Sequence, residues 1–318
     1  MLIVKGGEKI PSPEVIPTPS YGMNYILGGG WWTGRVHILW GNPSAGKTTF
    51  ALYVAAEAQK MGYHLIYIDS EKSATDEWLV KCGIDINERT YIQSNKLEDI
   101  NKHVLPMLRE KGSKYIVIVD SINTIVNESF YNKDDNATQI GMYARAQSQM
   151  FQKLADVVTV DHMVICIAQQ TSVSSGMFFK QAGKFGQVAE HWATNIVRLS
   201  TNNSTDDNTK DTDGRITARK VTWKFEKSKQ KPIVGTLGDY WFSPMNADID
   251  RSREIFHLAV RNKVIKKGGA WYSYGDIKGQ GADNFLEAAS DEDVNKIYME
   301  LMATDLSFDI DDEVTDDD

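Results

Sequence analysis

Cysteine is scarce: Cys82 and Cys166 are the only two in 318 residues. Two thiols cannot build a disulfide framework, which excludes a small bridge-stapled scaffold and leaves a reducing, cytoplasmic compartment as the expectation. Proline is also sparse, and Pro11, Pro13, Pro17 and Pro19 make up half of its eight copies. No apolar run approaches the roughly 20 residues of a membrane-spanning helix, so no membrane partner is expected. The first residues, Met1-Leu2-Ile3-Val4-Lys5-Gly6-Gly7, lack a basic stretch followed by an apolar core, which argues against a secretory signal. Positive charge is not in excess either, since 35 basic and 43 acidic side chains leave −8.

That imbalance is local. Eight acids lie between Asp305 and Asp318 with no Lys or Arg among them, and setting them aside leaves 35 basic against 35 acidic side chains. A neutral body does not exclude a polyanionic partner. Residues 304–318 read as an acidic disordered tail, either a solvated end or a competitor for basic sites on its own protein. The Pro-rich residues 1–20 read as an extended arm outside the core.

What the sequence does hold is an alternation. Strands are predicted at Arg35–Trp40, His64–Asp69, Tyr115–Asp120, Met163–Ala168, Asn195–Ser200 and Lys220–Phe225. Several are nearly continuous in aliphatic residues, as in strands buried on both faces. Helices are predicted at Thr48–Met61, stopped by Gly62, at Leu97–Lys111 around Pro106, and at Ile140–Val158. In the last, Gln147 is the lone polar residue on an otherwise apolar face. Alternating strands and helices predict an α/β fold with a largely parallel central sheet.

The expected organisation is the arm 1–20, a core over 21–245, a small α+β C-terminal domain over 246–303, and the tail 304–318. Two polar segments interrupt the core, at about 127–140 and 170–186, each following a strand region. Connections that long are more often functional than incidental. Asn202–Gly214 reads as a surface hairpin or insertion, and no internal repeat is visible.

The strongest motif is Gly41-Asn42-Pro43-Ser44-Ala45-Gly46-Lys47-Thr48, the pattern G-x-x-x-x-G-K-[ST] between a strand and a helix. Successive backbone N–H groups and a helix N-terminus cradle phosphate there, and the glycines let the backbone approach it. Lys47 places a cation at the β- and γ-phosphates of ATP, and the Thr48 hydroxyl can coordinate Mg²⁺. The apolar strand Tyr115–Val119 ends in Asp120, which supplies either the second magnesium anchor or a cap for the next turn. Glu71, just past the strand ending Ile68-Asp69, is placed to polarise a water, or is a surface residue.

With these residues in place, the chain resembles the RecA family of ATP-dependent recombinases, including versions carried by large bacteriophages. The likeness runs from about Gly22 to Gly281. It rests on Gly41–Thr49, Ile68-Asp69-Ser70-Glu71, Trp78-Leu79-Val80-Lys81-Cys82-Gly83-Ile84-Asp85, Val117–Ser121 and Ile167-Ala168-Gln169. Its most specific part is Gly269-Ala270-Trp271-Tyr272-Ser273-Tyr274, followed by Ile277-Lys278-Gly279-Gln280-Gly281, which looks like the bacterial C-terminal domain. The resemblance implies a RecA-type P-loop ATPase core whose nucleotide contacts run from Gly41 to Thr49. Glu71 then falls at the catalytic glutamate, Trp78 at the aromatic that stacks on adenine, Asp120 at the Walker B carboxylate, and Gln169 at the γ-phosphate sensor.

It further implies that segments 127–140 and 170–186 contact DNA. Ile140, Met177, Phe178, Phe179 and Lys180 then offer apolar wedges, stacking platforms and a cation to single strands. Phe178 and Phe179 could equally anchor their loop to the core. Arg145 and Arg198 become candidate phosphate contacts, with a structural role for Arg198 as the alternative. Lys227 and Lys229 match a K-x-K pair that reaches ATP on a neighbouring subunit, where the alternative is a solvated charge cluster.

The implied activity is DNA-dependent ATP hydrolysis coupled to strand exchange. The implied partners are single-stranded DNA, homologous duplex DNA, further copies of the chain in a helical filament, and single-strand-binding or mediator proteins. The rival readings are a ring-forming motor of helicase type and a mediator that binds nucleotide without hydrolysing it. The chain departs from the pattern in a short, Pro-rich N-terminal region, in a second loop with less Gly and Thr, and around Glu190-His191-Trp192, where an expected basic residue is missing.

Overall fold

The computed structural model describes residues 5–132, 136–175, 178–201, 208–210, 213–214, 216–245 and 247–303. The chain divides into two compact units, 1–250 and 251–318. The strands of the first unit are β1 (Val15–Ile16), β2 (Trp31–Trp32), β3 (Arg35–Gly41), β4 (His64–Asp69), β5 (Arg89–Ile92) and β6 (Tyr115–Asp120). There follow β7 (His162–Ser175), β8 (Phe178–Gly183), β9 (Ala193–Ser200), β10 (Asn208–Lys210), β11 (Ile216–Ser228), β12 (Leu237–Ser243) and β13 (Asp248–Ile249). Its helices are α1 (Tyr21–Leu27), α2 (Lys47–Lys60), α3 (Asp76–Lys81), α4 (Leu97–Met107), α5 (Asn136–Val157) and α6 (Gln187–Trp192).

One sheet carries the unit, in the order β13-β12-β11-β9-β3-β7-β6-β4-β5. From β9 to β5 every pairing on this path is parallel, whereas β11, β12 and β13 extend it antiparallel. The parallel half explains the aliphatic runs: all six residues of β6 are buried, because both faces are covered. Helix α2 crosses one face, and its Ala51, Ala55 and Ala58 allow close approach. Helices α4 and α5 shield the other, burying Val104, Met150, Phe151 and Leu154 with Ile66, Val117 and Val164. Gln147 is accommodated within that face because its Nε2 donates to the Ile122 carbonyl at 3.1 Å.

Three expectations are corrected. The second half of the Pro-rich segment belongs to the core: Val15–Ile16 pairs with β2, and Ile16 and Ser20 are fully buried. Glu14 holds Lys114 at 2.7 Å and accepts from the Tyr63 hydroxyl at 2.6 Å, which keeps its carboxyl below the usual range. The segment 170–186 is largely a hairpin, with β7 running on to Ser175 and pairing with β8 from Gln170↔Gly183 to Ser175↔Phe178. The segment 127–140 contains a 3₁₀ turn at Glu128–Asn132, and α5 begins at Asn136, four residues before the predicted start at Ile140. The acidic tail 304–318 and Met177 lie outside the described residues.

The second unit contains α7 (Arg251–Arg261), an antiparallel sheet of β14 (Lys266–Gly268), β15 (Trp271–Tyr274) and β16 (Ile277–Gln280), then α8 (Ala282–Ala288) and α9 (Asp291–Ala303). Alternation along β15 turns Tyr272 onto Phe256, 4.9 Å between ring centroids, while Tyr274 donates to Glu300 at 2.9 Å. Among the described residues of the chain, no helix is long and apolar enough to cross a membrane.

Candidate active site

The cradle is built where β3 turns into α2. Gly41 closes the strand at φ 151°, and a Cβ there would sit 1.7 Å from the Leu199 carbonyl oxygen of β9, so only glycine fits. The backbone then passes through Ser44 at φ 60° and Gly46 at φ 80° before Lys47 opens the helix. This aims the N-terminal N–H groups of α2 into one concavity. Lys47 Nζ donates to the Gly41 and Asn42 carbonyls at 3.1 and 2.9 Å. Burial lowers its pKa, against the pull of Asp120 and Glu71.

Thr48 Oγ1 donates to Asp120 Oδ2 at 2.6 Å, which joins the helix start to the end of β6. Asp120 is 3% exposed, and burial pushes its pKa up to about 6. The Thr48 hydrogen bond and Lys47 oppose that rise, while Glu71 and Asp69 add to it. Glu71 Oε1 accepts from Ser121 Oγ at 2.7 Å and from Gln169 Nε2 at 3.1 Å. Two neutral donors therefore fix one oxygen of an exposed carboxylate.

Asp69, fully buried at the end of β4, organises the loop that carries Glu71. Its carboxylate accepts the backbone N–H groups of Glu71, Ser73 and Ala74 at 3.2, 3.0 and 3.0 Å, and the Tyr91 hydroxyl at 2.9 Å. Three of these four hydrogen bonds come from the loop and the fourth from β5, so Asp69 shapes the site instead of facing into it. Asp69 and Ser121 entered the sequence reading as members of the runs Ile68-Asp69-Ser70-Glu71 and Val117–Ser121, without these positioning roles.

A cavity of about 660 Å³ opens over these groups. Trp78, half-buried in α3 behind the Thr75 N-cap, lines it. Ile216, Arg219 and Val221 of β11, with Phe242 and Pro244 at the end of β12, complete the wall. That wall was missed by the sequence reading, since its residues are scattered over two strands and form no motif.

The donor set suits a magnesium nucleotide. A hydroxyl and a carboxylate are hard oxygen ligands, and Mg²⁺ ordinarily takes one or two of them together with substrate phosphates. No group of three or more His, Cys, Asp or Glu among the described residues is arranged to hold a metal by itself. A glycine-rich turn whose Gly41 leaves no room for a side chain fits a phosphate chain beside it.

Gln169 lies inside β7, not at a strand end, because the strand continues into the hairpin. Its backbone N–H donates to Asn123 Oδ1 at 2.6 Å, and Asn123 Nδ2 donates to the Lys184 carbonyl. Lys184 N in turn donates to the Gln169 carbonyl at 2.7 Å. The buried Asn123 thus clamps both strands at the root of the hairpin, three residues after Asp120.

The other candidates are dispersed. Arg145 is exposed on α5; Phe178, Phe179 and Lys180 lie on β8, in register with Ser175, Ser174 and Val173. Arg198 is half-buried in β9, with its guanidinium 5.1 Å from the Trp40 ring centroid. Trp40 Nε1 donates to Glu226 at 2.7 Å, so Arg198 is packed into the sheet. Lys229 Nζ donates to the His191 carbonyl at 2.7 Å, and Lys227 Nζ donates to the Glu190 carbonyl, both at the C-terminal end of α6. Burial and then Lys229 lower the pKa of Lys227.

The RecA N-terminal domain family matches residues 1–234, and the RecA C-terminal domain family matches residues 253–294. A mitochondrial DNA repair protein recA homolog of Dictyostelium discoideum is 31% identical over 272 residues, 83% of this chain and 58% of that protein. Protein RecA of Thermotoga neapolitana is 30% identical over 296 residues, 90% of this chain and 82% of that protein. Protein RecA of Clostridium perfringens is 29% identical over 288 residues, 89% of this chain and 79% of that protein. The chain therefore spans little more than half the length of the Dictyostelium relative and about four fifths of the bacterial ones.

Proposed function

The chain belongs to the RecA family, with the nucleotide-binding ATPase fold of that family, and on this premise we propose that it is an ATP- and Mg²⁺-dependent recombinase. It assembles as a helical filament on single-stranded DNA and promotes homologous pairing and strand exchange. The observation that carries this reading is the continuous path of hydrogen bonds from Glu71 through Gln169 and Asn123 to the root of the β7–β8 hairpin. A site that only turned over nucleotide would not need its water-facing carboxylate tied to a projecting hairpin.

In this reading each residue of the cavity has a role. Lys47 and the first N–H groups of α2 bind the phosphates of ATP, and Trp78 stacks on the base. Thr48 and Asp120 would hold Mg²⁺, which would neutralise phosphate charge when bound. Glu71, oriented by Ser121 and Gln169, orients a water and accepts its proton. Gln169 exchanges its hydrogen bond between Glu71 and the nucleotide, and Asn123 passes the change to the hairpin. Lys227 and Lys229 leave the α6 carbonyls to reach a nucleotide held by a neighbouring copy. The hairpin, with Phe178, Phe179 and Lys180, and the start of α5, with Ile140 and Arg145, face the DNA.

Negative-stain microscopy with single-stranded DNA and a non-hydrolysable ATP analogue tests the proposal. Helical filaments are the expected result. Discrete six-membered rings would replace the recombinase with a motor, and absence of DNA-stimulated ATP hydrolysis would leave only a mediator.

A further inference from the structure

Of the described residues that line the cavity, only Lys47 and Arg219 have cationic side chains, while Glu71 and Asp120 are anionic. Lys47 stands beside that negative charge and donates to loop carbonyls, so one ammonium does not by itself balance a polyphosphate. Arg219 comes from another part of the chain. It lies in β11 two residues before Val221 and directly opposite Phe242 of β12, so all three share the face that lines the cavity. Its Nη1 donates to the Ser44 carbonyl at 3.3 Å, which places the guanidinium against the phosphate loop itself. Its Nε is buried and has no hydrogen-bond partner among the described residues. A buried donor left over beside an anion-binding loop is available to a ligand there.

Resting on the nucleotide reading above, we propose that Arg219 is a second phosphate-binding cation of this site, contributed in cis from the β11–β12 wall to the nucleotide that Lys47 holds. The planar guanidinium suits this task because its parallel N–H groups match two phosphate oxygens, whereas an ammonium meets them as a point charge. Arg219 thereby joins two sides of the cavity that the sequence places far apart. It binds the nucleotide, so its effect is read as ligand affinity.

The test is equilibrium binding of ATP, ADP and adenosine, each with Mg²⁺, to the full chain carrying Arg219→Ala, Arg219→Lys or Lys47→Ala. Arg219→Ala is expected to weaken ATP and ADP roughly tenfold while adenosine binding stays within about twofold, and Arg219→Lys to recover part of the loss. Equal losses for all three ligands would mean that Arg219 only packs the wall, and unchanged ATP affinity would remove it from the site; either result overturns the proposal. A second measurement uses the parent protein and needs no variant to fold. ATP should protect Arg219 from phenylglyoxal modification, read by peptide mass spectrometry, and adenosine should not; modification indifferent to ATP also overturns it. If the parent binds no nucleotide, or Lys47→Ala binds it as well as the parent, the nucleotide reading itself fails, a result separable from failure at Arg219.

Discussion

The two sides of the cavity are made in different ways. The cradle is a contiguous stretch from Gly41 to Thr49, shaped by positive φ at Gly41, Ser44 and Gly46 and by the first turn of α2. The wall has no contiguity: Arg219 and Phe242 meet only because β11 and β12 pair in one register. A slip of one residue would turn both away from the cavity. The cradle is therefore specified by local backbone chemistry and the wall by tertiary pairing. The first tolerates almost no change in type at its fixed positions, and the second tolerates change in type as long as shape and register survive.

Substitutions on the two sides should separate accordingly, and the largest effect belongs to the cradle. Lys47→Ala removes the cation at the phosphates and is expected to abolish ATP turnover and ATP-stimulated DNA binding; turnover within tenfold of the parent would remove Lys47 from that role. Glu71→Gln keeps shape and binding but not the base, so steady-state turnover should drop by about 10²–10⁴-fold with nucleotide affinity near parental. Filaments of this variant should form with ATP and dissolve slowly, which a light-scattering decay would show. If hydrolysis is normal, Asp69 is a poor substitute, since its oxygens are spent on the Glu71 loop.

On the wall, Phe242→Leu should weaken ATP and adenosine alike by about threefold, because it trims apolar contact and leaves charge untouched. A loss confined to ATP would blur the distinction from Arg219. The smallest effect at neutral pH concerns the strand that leads to the cradle. His37 of β3 is fully buried, stacked on Trp31 at 4.5 Å, with Nε2 at 2.9 Å from the Trp32 carbonyl. Burial drives its pKa down to about 4, the Trp32 hydrogen bond opposing this and Arg35 adding to it. The unfolded chain takes up this proton near pH 6.5 and the fold only near 4, so His37 stabilises fully above 6.5 and its contribution falls as pH drops through that window. Thermal melts should register a loss on the order of 2 kcal/mol at pH 5 that His37→Phe lacks. Asp120 titrates in the opposite sense over part of the window, so the difference between parent and variant is the quantity to read.

Legibility followed the same divide. Strands β4 and β6 were read to the residue, because nearly continuous apolar runs ending in Asp have few alternatives in a covered parallel sheet. Helix α2 was placed within a residue at each end, since its start and stop are written in Gly46 and Gly62. The short β5 and α3 were not read, although α3 carries Trp78: strands and helices of a few residues owe their form to neighbours more than to pattern. The β7–β8 hairpin was taken for a loop because Ser172, Ser174 and Ser175 are weak strand formers that pairing overrides. The lysines at 227 and 229 were found by spacing, but nothing local to them discloses that their ammonium groups reach the carbonyls of α6, some forty residues earlier.

The buried Asp69 has a consequence for the timing of order. By gathering three backbone N–H groups and the Tyr91 hydroxyl, it removes the conformational freedom of residues 70–74 when the chain folds. Restricting a residue's backbone costs about 1–2 kcal/mol at room temperature, and here that loss falls on folding, not on the arrival of a ligand. The carboxylate of Glu71 is thereby aimed in advance, and a nucleotide entering the cavity meets a loop whose freedom has already been spent.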